Sequence, residues 1–243
     1  MSTSRHRPGS PLGTSIDPIH AVVPLRSVAG GKARLGEALD AEEREVLILG
    51  MLERTLEVLG SWTPCTRTHV VTQDLRVARR VTSLTVGAIL QVTDGLNEGI
   101  ALGVTEALRE GARAVLVLPA DLPMLSVEAL DRLLDGADAA LAAGSGRPLV
   151  AIAPSDARNG TNALLLFPPD VIEPRFGEHS FEAHVRAAAT ADATLQVVTD
   201  PALGFDLDTP EDLEMLPPEL LRDLVDGGQA VAAGERPTGR RDA

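Results

Sequence analysis

The sequence predicts a single α/β domain in which helices cover both faces of a mixed, mainly parallel β-sheet, giving three layers. Three observations support this. Short aliphatic or β-branched runs alternate with segments of helical periodicity through the first half of the chain, a repetition that builds parallel βαβ units. The second half is richer in strand-like runs. No linker-like stretch divides the 243 residues, a length that suits one large domain.

The first buried run covers residues 21–25 and the second 68–72. Between them Leu49, Leu52, Leu56 and Leu59 recur at helical spacing, and Asp40 followed by Glu43 forms a capping box. Runs at 88–92 and 114–118 read as two more strands. Asn97 is expected to cap a helix carrying Ile100, Val104 and Leu108 on one face, closed by Gly111. Ser126 is expected to start a short helix through Leu130, Leu133 and Leu134 that ends at Gly136. Residues 138–143, 149–153, 162–167 and 193–199 then read as strands with one clear helix among them, 181–190, so antiparallel strands are expected here. Residues 1–18 and 225–243 are expected to be flexible tails around a domain of residues 19–224, because little apolar periodicity survives in them.

Composition narrows the partner. With 35 acidic and 22 basic residues the formal charge is -13, the wrong sign for holding nucleic acid or an anionic membrane. Trp62 is the lone tryptophan and tyrosine is absent, which removes the stacking platforms used on single strands. The single Cys65 forbids an internal disulfide and a cysteine-rich zinc site; beside Pro64 and with no evident base nearby, it reads as a small, partly buried thiol. Residues 1–20 lack the apolar core of a signal peptide and no later run reaches membrane-spanning length. A cytoplasmic protein with a small-molecule partner is expected.

In open α/β sheets ligands bind beyond the carboxyl ends of strands. After the first strand comes Arg26-Ser-Val-Ala-Gly-Gly-Lys-Ala-Arg-Leu35. Gly30 and Gly31 let backbone N–H groups approach an anion, and Arg26, Lys32 and Arg34 can neutralise phosphate oxygens; the plainer reading is a solvated basic loop. It is not a Walker A loop, since Arg26 stands where glycine is needed and Ala33 where a hydroxyl is needed, and no GxGxxG follows any strand. After the strand at 114–118, Pro119-Ala-Asp-Leu-Pro123 aims Asp121 in a fixed direction, which suits a ligand to a hard cation, although Asp121 could equally cap the following turn. In Phe205-Asp-Leu-Asp-Thr-Pro-Glu-Asp212, Asp206 and Asp208 face one side of an extended segment and repel unless a cation lies between them, while Thr209, Pro210 and Asp212 read as a helix start. Asn159-Gly-Thr-Asn162 supplies turn chemistry, and Gly177 with Ser180 marks a helix start whose free N–H groups could meet an anion. His179 and His184 are five apart, which does not put both on one helix face, so no ligand role is assigned to them.

In order, Val23-Pro-Leu-Arg-Ser27, Gly31-Lys-Ala-Arg-Leu35, Gly95-Leu-Asn97, Leu118-Pro-Ala-Asp-Leu-Pro123, Gly160-Thr-Asn-Ala-Leu164, Arg175-Phe-Gly177 with Ser180-Phe-Glu-Ala-His184, and Asp206-Leu-Asp-Thr-Pro-Glu-Asp-Leu213 closely resemble the phospholactate and phosphoenolpyruvate guanylyltransferases of coenzyme F-420 biosynthesis. The resemblance covers residues 20–216. It implies a glycosyltransferase-A-like, Rossmann-like nucleotidyltransferase fold. It further implies magnesium on Asp121, Asp206 and Asp208, the phosphorylated acid at Thr161, Gly177 and Ser180, and GTP over the loop from Arg26 to Arg34 and near Asn97. Lys32, Arg34 and Asp121 would then carry the catalysis. The chain departs from the family's usual pattern at Arg26, where lysine is usual, and at Gly31 and Ala33 in place of alanine and serine; Arg26 keeps the charge in a planar fork and Ala33 loses a hydroxyl donor.

The expected reaction joins GTP to phosphoenolpyruvate or 2-phospho-L-lactate with loss of pyrophosphate. Two alternatives stay open at this level. One is another nucleotidyltransferase, making a sugar nucleotide or a molybdopterin dinucleotide; the other is a non-catalytic nucleotide-binding regulator. Spacing alone does not choose the acceptor, and it leaves the oligomeric state, a homodimer included, open.

Overall fold

A computed structural model describes residues 16–83, 86–144, 146–156 and 159–233. Its elements in chain order are β1 (Ile19–Pro24), a 3-10 turn (Ala33–Glu37), α1 (Ala41–Ser61), β2 (Cys65–Thr72), α2 (Leu75–Ser83), β3 (Gly87–Leu90), α3 (Leu96–Arg109) and β4 (Ala114–Val117). They continue with α4 (Val127–Ala143), β5 (Leu149–Pro154), β6 (Thr161–Phe167), α5 (Ser180–Thr190), β7 (Thr194–Val197), α6 (Pro201–Gly204), α7 (Pro210–Met215) and α8 (Pro218–Ala232).

The strands form one sheet in the order β3-β2-β1-β4-β6-β5-β7. All neighbours run parallel except β6, which is antiparallel to both β4 and β5. Two consequences locate the site. The chain builds outward from β1 through β2 to β3 and then returns to place β4 on the other side of β1, which makes the β1/β4 border a topological switch point where a crevice opens. Because β6 runs the other way, its first residues lie beside the carboxyl ends of β4 and β5.

Strands covered on both faces read as continuous apolar runs, and β1, β4 and β5 are buried throughout. One face, with Ala21, Val23, Leu116 and Leu165, packs on Leu47, Met51 and Leu52 of α1 and Leu130 and Leu133 of α4. The other, with Val22, Val71, Val117 and Leu164, packs on Ile100, Val104 and Ala107 of α3 and Ala188 of α5. Each such large side chain contributes about 1.5–3 kcal/mol of burial. α8 lies against α1 at near backbone contact: a Cβ on Gly50 would stand 1.9 Å from the Leu224 carbonyl oxygen, and one on Gly228 1.9 Å from that of Val46.

The capping boxes at Asp40–Glu43 and Thr209–Asp212 and the Ser126 cap form as expected. Other expectations are corrected. Residues 138–143 are not a strand but the last turns of α4, because the buried series Leu130, Leu133, Leu134, Ala137 and Leu141 keeps helical spacing past Gly136. Gly136 does not end that helix; it gives clearance to Val198, whose Cγ2 lies 2.9 Å from where a Cβ would be. α2 was not expected, since among its described side chains Val77 and Val81 are the buried apolar pair while Leu75, Arg76 and Arg79 are exposed. Asn97 is not the cap of α3; Gly95 holds that position and Asn97 lies in the first turn. Ile16 is buried and α8 continues to Ala232, so packing reaches beyond both expected domain limits, 19 and 224. The remainder of the expected tails, residues 1–15 and 234–243, lies outside the described residues.

Candidate active site

The loop leaving β1 is tied to β2 before it turns: Leu25 N–H donates to the Val71 carbonyl at 2.9 Å and Gln73 N–H to that of Arg26 at 3.0 Å. It then folds back on itself. Gly30 has φ +73°, and Gly31 sits so close to α1 that a Cβ would meet Ile48 Cδ1 at 2.7 Å. Lys32 follows in the left-handed region at φ 50° and heads the 3-10 turn, whose Leu35 is fully buried and anchors it. A backbone held in that region by a non-glycine residue is a feature of ligand-facing loops.

This geometry carries the Lys32 ammonium across the switch point. It donates to Asp121 Oδ2 at 2.8 Å and to Asp208 Oδ1 at 2.5 Å. Asp121 comes from the loop after β4, which Arg54 of α1 pins by donating to the Leu125 carbonyl at 3.1 Å. The segment carrying Asp206 and Asp208 is stitched to that loop by Leu207 N–H, which donates to the Asp121 carbonyl at 3.1 Å. Upstream, Asp200 caps α6 by accepting from Ala202 and Leu203 N–H and pairs with Arg132, so the acidic segment enters the site from a fixed point.

Electrostatics follow from the convergence. Burial by itself would lower the proton affinity of Lys32, but the Asp121 and Asp208 carboxylates outweigh it and hold the ammonium above its ordinary pKa. The Asp206 carboxyl is also held above its ordinary pKa: burial raises it most, the Asn162 amide counters this at 3.1 Å, the charges of Asp121 and Asp208 raise it further, and Lys32 lowers it. Such a carboxylate pair favours an added cation. A cavity of about 510 Å³ opens over these groups, lined by Arg26, Gly31, Lys32, Arg34, Asp121 and Asp208.

The start of β6 supplies the neighbouring wall. Its register with β5 shifts so that Pro154 pairs with Thr161 and Asn162 has no opposite residue, an irregularity that re-aims side chains. Asn162 reaches Asp206 and the Gly204 carbonyl, while Thr161 Oγ1 lies 2.9 Å from His184 Nδ1 of α5. The other His184 nitrogen, Nε2, accepts from Arg175 N–H at 2.8 Å. The loop through Gly177, at φ +123°, leads into Ser180 at the first position of α5. Asn97 clamps that loop: it accepts from Phe176 N–H at 2.7 Å and donates to the Phe176 carbonyl at 3.0 Å.

Of the residues singled out in the sequence, Lys32, Asp121 and Asp208 meet directly, and Asp206 lies near enough to feel the charges of all three. Arg26, Gly31 and Arg34 line the cavity with Lys32, Asp121 and Asp208; Thr161 is tied to His184 of α5, the helix that Ser180 begins, and Ser180 N–H donates to the Gly177 carbonyl. Asn97 spends both polar atoms of its amide on the Phe176 backbone, so its connection to the site runs through that loop. Asn162, His184 and Asp200 were not foreseen; the signal for Asn162 was its place beside Thr161. Among the described residues, the group of metal-capable side chains whose ligand atoms already lie close together is His20, His69 and Glu110, away from this cavity; there Glu110 is held by Arg67 and Arg109, and the two rings bond each other at 3.3 Å. No helix of the described residues is long and apolar enough to cross a membrane.

Comparison with known proteins gives the family and the fold. Residues 19–217 match the family described as "Guanylyl transferase CofC like". The chain is 40% identical over 198 residues to the phosphoenolpyruvate guanylyltransferase of Rubrobacter xylanophilus, covering 82% of this chain and 93% of that protein. It is 30% identical over 196 residues to the 3-phospho-D-glycerate guanylyltransferase of Colwellia psychrerythraea, covering 80% and 89%. The fold is shared with a candidate nucleotide-diphospho-sugar transferase from Desulfovibrio desulfuricans G20, at TM-score 0.67 and 16% identity over 90% of this chain and 99% of that one. A glycine-lysine turn facing converging carboxylates, on a nucleotidyltransferase-like sheet, together with a match over nearly the whole described chain, leads to one conclusion: the protein belongs to the CofC-like guanylyl transferase family.

Proposed function

We propose that this chain transfers the guanylyl group of GTP to the phosphate of phosphoenolpyruvate, or of a close three-carbon analogue, with release of pyrophosphate, in the assembly of coenzyme F-420. The observation that carries the reading is the Lys32 bridge between Asp121 and Asp208 at the cavity below the glycine turn. The acceptor is suggested by the relatives at 40% and 38% identity, both named phosphoenolpyruvate guanylyltransferase.

Two anions must meet. At about 4 Å, like unit charges repel by roughly 4 kcal/mol at an effective dielectric of 20. Arg26 and Arg34 are exposed on the cavity wall and can neutralise triphosphate oxygens. Lys32 has three N–H donors and uses two on Asp121 and Asp208, which leaves one for a phosphate oxygen. The acceptor's phosphate is ionised near neutral pH, its second pKa being about 6, so no side chain has to act as general base. Its oxygen attacks the α-phosphorus in line; as that P–O bond forms, the bond to the α–β bridging oxygen breaks, and pyrophosphate leaves with the electron pair. Thr161, Gly177 and Ser180 would hold the acid.

The donor set suits magnesium. Asp121, Asp206 and Asp208 offer hard carboxylate oxygens, and the proton affinity of Asp206, raised first by burial and then by the Asp121 and Asp208 charges, is one that a bound cation would relieve. These three residues would hold the ion, which when bound supplies charge neutralisation at the transferring phosphate.

The test is a competition. The full-length protein is incubated with GTP, magnesium and equal phosphoenolpyruvate, 2-phospho-L-lactate and 3-phosphoglycerate, and products are resolved by mass spectrometry. A dominant guanylylated phosphoenolpyruvate is expected. Pyrophosphate release only with a sugar phosphate or a pterin phosphate, or GTP binding with no product from any acceptor, would refute the proposal.

A further inference from the structure

We infer that His184 is a positioning residue: its ring fixes the direction of the Thr161 hydroxyl proton, so that Thr161 offers the phosphorylated acid a hydrogen-bond donor. The inference rests on the reading that the acid lies at Thr161, and it adds a residue that spacing alone passes over.

His184 is fully buried and both ring nitrogens are engaged. At Nε2 the partner is the Arg175 backbone N–H, 2.8 Å away. A backbone amide only donates, so Nε2 must present its lone pair and carry no proton. Burial lowers the pKa of this ring to about 4, so near neutral pH it is uncharged and holds a single proton, which Nε2 cannot have. That proton is on Nδ1. The Nδ1 group lies 2.9 Å from Thr161 Oγ1, so the ring donates and the hydroxyl oxygen accepts. The hydroxyl's own hydrogen is thereby excluded from the His184 side and must point elsewhere.

The consequence concerns charge. A phosphate or carboxylate only accepts, so a hydroxyl that met it lone pair first would repel it. With the opposite tautomer, Thr161 would give its proton to Nδ1 and do just that. The surroundings keep the ring in its place. Phe176 packs edge-on against it, centroids 5.2 Å apart and planes at 66°. Asn97 holds the Phe176 backbone from both sides, and so fixes the neighbouring Arg175 N–H that sets the tautomer. A chain of dependence thus runs from Asn97 through Arg175 and His184 to Thr161.

Two readouts on the full-length protein test this. The first is long-range proton–nitrogen NMR of protein carrying nitrogen-15 histidine, with the His184 signals assigned by their loss in His184→Phe. A protonated Nδ1 and a bare Nε2 at neutral pH are expected; the reverse tautomer, or a ring averaging between the two, overturns the inference. The second is kinetic. His184→Phe should raise the KM for the acid about tenfold or more while the KM for GTP stays within about twofold, and adding it to Thr161→Val should cost nothing further, because the hydroxyl it acts through is already gone. Equal losses on both substrates, or full additivity in the double variant, would assign His184 a merely structural role. If the wild type guanylylates no acid, the proposed function falls, and the NMR tautomer decides the His184 assignment by itself.

Discussion

Lys32 and Asp121 stand 89 positions apart in sequence and 2.8 Å apart in space. Their meeting follows from topology, since they leave the carboxyl ends of β1 and β4, strands that pair directly across the switch point. Lys32 also holds Asp208, so one ammonium offsets charge from two separate loops. Replacing Lys32 by alanine leaves both carboxylates without that partner. Turnover should fall by roughly 10²–10³-fold, with the far-ultraviolet circular dichroism unchanged, because the sheet beneath does not depend on the bridge. Steady-state pyrophosphate release checks this.

Asp206 should separate activity from stability. Its pKa is raised by burial and by Asp121 and Asp208, so ionised Asp206 weakens the fold at neutral pH. Asp206→Asn removes that charge and keeps an oxygen for the Asn162 amide. Turnover should fall at least about a hundredfold, while the melting temperature measured in chelator should rise by about 2 °C, the size of a gain below 1 kcal/mol in a chain of this length. A loss of several degrees would mean that the carboxylate is a structural group.

The acid limb of stability should carry the signature of His184. In the unfolded chain an imidazole takes up its proton near pH 6.5; in the fold, burial delays this to about 4. As pH falls through that window the unfolded chain binds a proton that the native ring refuses, so stability is present above pH 6.5 and declines toward pH 4. The span corresponds to a contribution on the order of 3 kcal/mol. His20 and His69 are lowered in the same direction, chiefly by burial, so the comparison is with His184→Phe: urea denaturation at pH 7 and pH 4.5 should show a smaller decline in that variant than in the wild type.

The α1–α8 contact should tolerate no added methyl. A Cβ on Gly228 would overlap the Val46 carbonyl at 1.9 Å, and one on Gly50 the Leu224 carbonyl. Gly228→Ala should force the helices apart at a cost of about 1–3 kcal/mol, lowering the melting temperature by roughly 3–10 °C. Val46, Gly50, Leu224 and Gly228 do not themselves line the cavity, although Ile48 and Met51 of α1 do; with α1 still packed on the sheet, kcat at a permissive temperature should hold.

What could be read from the chain before its fold was known divides along physical lines. Local chemistry was legible: the Asp40–Glu43 and Thr209–Asp212 boxes are complete within four residues, and the loops after β1 and β4 announce themselves by glycine, proline and charge. Residues 138–143 misled because alanine and leucine at that density fit a buried strand as well as the tail of a helix, and the choice was made by packing of Leu141 and Gly136 against distant elements. α2 escaped because one buried valine pair makes no periodicity. At the site, Lys32 and Asp121 could be picked out from position after strands, and Asp208 from its spacing with Asp206. Asn162 and His184 could not, because their partners lie 44 and 23 residues away and their roles exist only as hydrogen bonds across the fold.

The central claim is that the acid's own phosphate oxygen becomes the bridge to the guanylyl phosphorus. Phosphoenolpyruvate carrying oxygen-18 in its phosphate, reacted with unlabelled GTP, measures this directly by phosphorus NMR and mass spectrometry. Every labelled oxygen should remain in the guanylylated product, one of them in the new phosphoanhydride bridge, and the released pyrophosphate should carry none. Label in the pyrophosphate, or a product whose bridge is unlabelled, would contradict the account.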